Sequence, residues 1–184
     1  MELSGKIVMI TGGTGSFGNA LIRHLTAKEV HTVVYSRDES KQHDMYSSGN
    51  FPLTRYIVGD VRDKDKLIQS LKSIDYVFHA GALKHVPTGE KWPEEVIQTN
   101  VLGTKNVVEA ADYCGVKALV DLSTDKAAYP VSSYGMSKAL AEKVAYKTPR
   151  LDKDGIDWEI EKVSQIRNYE TPAPQAGYGS FLLD

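Results

Sequence analysis

Short apolar runs recur along the chain up to about residue 123, each followed by a longer stretch in which apolar and polar positions mix at helical spacing. Bounded by turn residues, these runs predict strands over 6–11 (KIVMIT), 31–36 (HTVVYS), 54–59 (TRYIVG), 75–80 (DYVFHA) and 117–123 (KALVDLS). Their centres, IVMI, TVV, YVF and ALV, run apolar without alternation, as strands covered on both faces do. Strands and helices in succession imply parallel strands joined by right-handed crossovers. The expectation is an α/β chain: a Rossmann-like, doubly wound parallel sheet with helices on both faces.

After about Lys147 the pattern changes. Only GIDWEIEKV (155–163) offers another strand, through the alternation of Ile156, Trp158 and Ile160, and prolines at 149, 172 and 174 interrupt the rest. The chain therefore divides into 1–147, a nucleotide-binding type of domain, and 148–184, a possible sixth strand with an irregular tail.

Composition narrows the classes. With 184 residues, 41% hydrophobic, the chain can bury one substantial core. A net charge of -2 gives no basic excess with which to neutralise a phosphate backbone, so nucleic acid is not an expected partner. Cys114 is the single cysteine and has no internal disulfide partner. No run approaches the roughly 20 apolar residues that cross a bilayer, and the N-terminus enters a strand without a signal-peptide pattern. A cytoplasmic protein without membrane contact is the expectation. His79, in an apolar strand, and His85 lack companions at metal-ligand spacing, so no metal is expected and both read as packing or solvated residues.

The first chemical signal is TGGTGSFG, Thr11 to Gly18. Gly12, Gly15 and Gly18 follow a predicted strand and open a predicted helix, where glycines allow a tight turn and close approach to a pyrophosphate that the helix N-terminus attracts. Thr14, Ser16 and Phe17 fill the same turn. At the end of the second strand stand Ser36, Arg37 and Asp38, with Lys41 a turn later. Arg37 presents a planar fork of donors and Lys41 a second positive charge, both suited to the 2′-phosphate of NADP; in the alternative, Asp38 selects the free ribose hydroxyl of NAD. Asp60 and Val61 end the third strand near an adenine edge, and Ala80, Gly81 and Ala82 end the fourth, where small residues admit the nicotinamide ribose.

LSTDKAAYPVSSYGMSK, 122–138, supplies the reacting groups. Tyr134 and Lys138 are four apart on a predicted helix and share a face. An ammonium near a phenol favours the phenolate, so Tyr134 can take a hydroxyl proton as a hydride leaves the same carbon. Asp125 and Lys126 exceed what simple alcohol oxidation needs. A neutral amine at Lys126 could remove the proton beside a new ketone, and a protonated carboxyl at Asp125 could assist loss of a hydroxyl beyond it, an elimination. Otherwise Asp125 is a turn cap and Lys126 a surface charge.

Taken together, TGGTGSFGNA, SRDESKQHDM, GDVRD, ALKHVPTGE, TNVLGT and LSTDKAAYPVSSYGMSKALAEK resemble, in order, the inverting UDP-N-acetylglucosamine 4,6-dehydratases of bacterial surface-glycan biosynthesis, which are extended short-chain dehydrogenase/reductases. The resemblance covers roughly residues 1–147. It implies NADP, a UDP-sugar substrate, and a reaction that oxidises C4, abstracts the C5 proton, expels the C6 hydroxyl as water and returns the hydride to C6 with inversion at C5. It also implies roles: Tyr134 as the base for C4 oxidation, Lys138 as its partner at the cofactor ribose, Lys126 as the C5 base and Asp125 as the acid for water loss. Lys84 becomes a lysine facing cofactor or substrate, and Asn100 a polar residue beside the site; otherwise these are a solvated loop lysine and a helix cap. A homo-oligomer is expected.

Two departures stand out. Some members of the subgroup carry Met where Tyr134 stands, so this chain goes with those that keep the phenol. The Arg-Tyr-Gly-Asn stretch that helps such enzymes hold the nucleotide-sugar is absent, so the substrate lobe is expected to be reduced or missing. Two other readings stay open: an epimerase or ketoreductase using Tyr134 and Lys138 alone, and a non-catalytic NADP-binding module.

Overall fold

The computed structural model describes residues 3–147. Five strands form one parallel sheet: β1 (Ile7–Thr11), β2 (His31–Ser36), β3 (Thr54–Val58), β4 (Tyr76–His79) and β5 (Ala118–Asp121), in the order β3-β2-β1-β4-β5. All five lie within the spans expected from sequence, trimmed by one or two residues at most ends. The expected strand at 155–163 and the tail lie outside the described residues.

Alternation along β1 shows why helices cover both faces. Val8 and Ile10 point to one side, where they join Ile22 and Leu25 of α1 (Ser16–Thr26), Val34 of β2 and Met45 of α2 (Glu39–Ser47). Met9 points to the other, with Val33, Tyr35 and Val77, and meets Leu67 of α3 (Lys64–Ser70) and Val107, Val108 and Ala111 of α6 (Gly103–Tyr113). Each fully buried Ile or Val side chain is worth about 1.5–3 kcal/mol relative to exposure, so both faces are committed to the core.

Two short helices, α4 (Val86–Lys91) and α5 (Pro93–Val96), lead into a π turn over Ile97–Leu102 that runs on into α6. A 3-10 turn, Asp125–Ala127, precedes α7 (Ser133–Lys147). The chain leaves β1 for β2 on one side, and later returns to place β4 on the other. The switch point of the sheet therefore falls between the C-terminal ends of β1 and β4, where open α/β sheets hold ligands.

Candidate functional site

The crevice at the switch point is lined by the glycine turn. Gly12 has a left-handed φ of +67°, and a Cβ there would lie 2.9 Å from the Ala80 carbonyl and Gly81 Cα, so the loops after β1 and β4 cross backbone to backbone. Gly18 packs α1 onto the same turn: a Cβ at Gly18 would run into the backbone of Gly13. Gly15 is the N-cap of α1 and offers no side-chain cap, which leaves the first-turn amides of Ser16, Phe17 and Gly18 without a capping acceptor. Thr14 Oγ1 lies 3.1 Å from Ser36 Oγ and joins the turn to the end of β2, while the Phe17 ring stands 6.5 Å from that of Phe78. This donor set fits a dinucleotide pyrophosphate.

Beyond β2, Asp38 caps α2: its Oδ1 accepts from the Lys41 amide at 3.0 Å and its Oδ2 pairs with Lys41 Nζ at 3.0 Å. The Lys41 amide, and then its side chain, hold the Asp38 carboxyl below the usual range. Arg37 pairs with Asp60 Oδ2 at 3.7 Å and is half exposed. Asp60 Oδ1 also accepts from the Arg62 amide at 3.0 Å, and its carbonyl accepts from the Tyr35 hydroxyl at 2.9 Å. Val61 is buried, close against Gly81 and Gly103. Ala80, Gly81 and Ala82 are half buried along the crevice, and Lys84 is exposed further along the loop.

The residues expected from sequence to react sit at the same edge. Thr124 donates to Asp125 Oδ1 at 3.0 Å, and Lys126 approaches that oxygen with its amide at 2.8 Å and its Nζ at 3.3 Å. The Thr124 hydroxyl first, and Lys126 second, hold the Asp125 carboxyl below its usual range. Asp125 and Lys126 thus form a solvent-facing ion pair in the charged form. The 3-10 turn is pinned to α7, because Gly135 leaves no room for a Cβ against the Lys126 carbonyl. Tyr134 is half buried in the first turn of α7. Lys138, one turn on, is buried, with its Nζ 3.8 Å from Asp121 Oδ1 at the end of β5.

Asn100, in the π turn, is fully buried and its amide is occupied within the protein. Its Oδ1 accepts from the Leu83 amide at 2.8 Å, and its Nδ2 donates to the Leu83 carbonyl at 2.8 Å and to Ser137 Oγ at 2.9 Å. It therefore grips the loop after β4 and α7 together. Asp121 and the groups around His79 were not among the residues singled out from sequence. The only local signal was a polar residue closing an apolar strand run. Arg62, likewise unforeseen, joins the loop after β3 to Glu95 at 2.6 Å and to Thr99 of the π turn at 2.7 Å.

A family described as "Polysaccharide biosynthesis protein" matches residues 8–167, a span that takes in every group just placed around the crevice. The chain belongs to the polysaccharide biosynthesis protein family. It is similar to the UDP-glucose 4-epimerase of Rickettsia bellii (strain OSU 85-389), 45% identical over 152 residues that cover 80% of this chain and 45% of the relative. The UDP-glucose 4-epimerase of Rickettsia rickettsii (strain Sheila Smith) is 47% identical over 155 residues, covering 82% and 46%. Among solved structures, Pen from Bacillus thuringiensis superposes with a TM-score of 0.76 at 36% identity, over 78% of this chain and 45% of Pen. DesIV from Streptomyces venezuelae, a dTDP-glucose 4,6-dehydratase crystallised with NAD, superposes with a TM-score of 0.69 at 26% identity, over 75% and 50%. This family member spans about half the length of the curated relatives it matches. Its relatives are named for nucleotide-sugar epimerisation and dehydration, a broader class than the inverting dehydratases that the sequence resembles.

Proposed function

We propose that the chain is an NADP-dependent nucleotide-sugar 4,6-dehydratase that converts UDP-N-acetylglucosamine to a 4-keto-6-deoxy sugar with inversion at C5. Residues 1–147 carry the dinucleotide site and the reacting groups in this reading. The observation that carries it is the pinning of the Asp125–Lys126 turn against the first turn of α7, which keeps a second acid–base pair beside Tyr134.

The dinucleotide, when bound, supplies the hydride acceptor. Tyr134 takes the proton of the sugar C4 hydroxyl, and buried Lys138 provides the positive charge behind it. Lys126 then removes the C5 proton, and Asp125 protonates the departing C6 hydroxyl. The charged pair must become neutral for this. A proton passing from Lys126 Nζ to Asp125 Oδ1 across 3.3 Å creates the amine and the acid together. Covering the pair with a bound sugar favours that neutral form, because two charges are costly to desolvate. Lys84, exposed on the loop after β4, is assigned to substrate or cofactor phosphate contacts.

NADP is proposed over NAD because both Asp38 oxygens are engaged by Lys41, whereas the exposed Arg37–Asp60 pair is weak enough to yield to a phosphate. A homo-oligomer is supported by Ile97 and Leu102 of the π turn and Met136 and Leu140 of α7, large apolar residues exposed on elements that pack together. Among the described residues no helix is long and apolar enough to cross a membrane.

The second reading is an epimerase using Tyr134 and Lys138 alone; the charged state of Asp125 favours it. Incubation with UDP-N-acetylglucosamine and NADP, followed by mass spectrometry in deuterated water, separates them. Dehydration gives a product lighter by one water, with solvent deuterium at C5 and the hydride from C4 at C6, and Lys126→Met abolishes that product. Epimerisation leaves the mass unchanged, and binding without any new product supports a non-catalytic module.

A further inference from the structure

A buried chain of hydrogen bonds runs beneath the crevice through side chains to which the proposed reaction gives no role. Thr11, His79, Asn100 and Thr104 are each at most 1% exposed. The Gly81 amide donates to Thr11 Oγ1 at 3.2 Å; Thr11 Oγ1 meets His79 Nδ1 at 2.5 Å; His79 Nε2 meets Thr104 Oγ1 at 3.0 Å; and Thr104 Oγ1 donates to the Asn100 carbonyl at 2.6 Å.

The directions of these bonds follow from the two ends. A carbonyl only accepts, so the Thr104 hydroxyl hydrogen goes to Asn100, and the bond between Thr104 and His79 is left with Nε2–H as its donor. In a neutral ring Nδ1 then accepts, and the Thr11 hydroxyl supplies that hydrogen while its oxygen receives the Gly81 N–H. Every donor meets an acceptor with none left over. A charged imidazolium would break the pattern, since Nδ1–H would take the Thr11 oxygen and leave the Thr11 hydroxyl hydrogen without its acceptor. Burial first, and the Lys138 ammonium second, push the imidazole down to about 3, in agreement with this assignment.

The chain ends where the crevice is built. At one end it fixes the Gly81 amide at the C-terminus of β4. At the other it reaches the carbonyl of Asn100, whose side chain holds both backbone groups of Leu83 and, through Ser137, the carbonyl of Tyr134. The loop after β4 is therefore gripped at two points by one network, and that network also touches the helix carrying Tyr134 and Lys138.

We propose that His79 is a positioning residue: as the neutral Nε2–H tautomer it ties Gly81 to the π turn at Asn100, so that the dinucleotide-facing loop and the start of α7 hold one fixed spacing. The functional part of this inference rests on the dinucleotide reading above; the tautomer and the grip on the loop do not.

Nitrogen-15 NMR of the ligand-free protein tests the tautomer: Nε2 carries hydrogen, Nδ1 does not, and neither titrates between pH 5 and 8. Amide hydrogen exchange tests the grip. In His79→Phe the Gly81 and Leu83 amides exchange at least about tenfold faster while β1 and β2 amides keep their rates, because the buried partners lose their bonds. His79→Gln, whose carboxamide can both accept and donate, restores protection. NADP affinity follows the same order, about tenfold weaker for His79→Phe and nearly unchanged for His79→Gln. Should His79→Phe fail to fold, Thr104→Val removes the acceptor of Nε2–H, and the His79 nitrogen signals shift toward the other tautomer. A parent ring that titrates in this range or carries hydrogen on Nδ1 overturns the proposal. So does unchanged exchange of Gly81 and Leu83 in a folded His79→Phe. A parent that binds neither dinucleotide overturns the dinucleotide reading, while the tautomer and exchange results still decide the grip.

Discussion

Lys138 and Asp121 face one another inside the protein: the ammonium nitrogen lies 3.8 Å from Asp121 Oδ1, and the two side chains are 4% and 9% exposed. Removing two charges from water costs several kcal/mol per ion, and only a nearby opposite charge with further polar partners offsets it. At 3.8 Å the carboxylate balances the charge of Lys138 inside the protein. Asp121 thus makes a buried lysine sustainable at the position where the proposed chemistry needs one.

Asp121→Asn should be costly, since it strands the ammonium without its counter-charge. We expect a loss of about 3–5 kcal/mol in urea unfolding, with Asp121→Glu recovering part of it. A midpoint equal to that of the parent would show that the pair carries no such weight.

The packing of α1 gives a second test. In Gly18→Ala the new methyl meets the Gly13 backbone, which has no flexible atoms to move aside. Overpacking of this kind typically costs about 1–3 kcal/mol. Because the turn must open to accept the methyl, dinucleotide affinity should fall with stability. Calorimetric titration with NADP and NAD beside urea unfolding measures both, and a variant that loses neither would mean that α1 does not sit so tightly on the turn.

His79 makes the fold sensitive to acid. Between its unfolded value near 6.5 and its folded value of about 3, the unfolded chain binds a proton that the folded chain does not, so stability rises with pH through that window and is lost as pH falls. From pH 7.0 to 5.0 the loss is about 2 kcal/mol, at roughly 1.4 kcal/mol per unit once the unfolded imidazole is protonated. Asp38, Asp75, Glu109 and Asp125, all lowered, give up their contributions mainly below about pH 5. Comparing urea midpoints of the parent and His79→Gln at the two pH values isolates the imidazole, and parallel losses in both proteins would rule it out as the cause.

The proposed preference for NADP rests on Arg37. NADP should bind more tightly than NAD, and Arg37→Ala should remove most of the difference by deleting the fork that meets the 2′-phosphate. Equal affinities in the parent would return the choice to Asp38.

Much of this architecture was legible because its causes are local. The five strands announce themselves as apolar runs, and β1 shows why: Val8, Met9 and Ile10 are all fully buried, on alternating faces of a doubly covered sheet. The glycine turn was equally readable, since Gly12 and Gly18 leave no space for a side chain. What escaped the sequence depends on distant partners. His79 read as a packing residue because Thr11 and Thr104, its partners, lie 68 and 25 positions away. Lys138 read as a companion to Tyr134, its neighbour on the helix, while its counter-charge Asp121 comes from a strand. Asn100 was expected beside the substrate, and no local pattern announces the π turn that instead directs its amide to Leu83 and Ser137.

The π turn over Ile97–Leu102 holds more residues per turn than an α-helix does, so losing one residue there would let it close as a regular α-helix with its flanks in register. Inside α6 the same loss would rotate all that follows by about 100°, and the Val107, Val108 and Ala111 face would turn off the sheet. Single-codon deletions should therefore accumulate over generations at the wide turn and be eliminated in the helix after it.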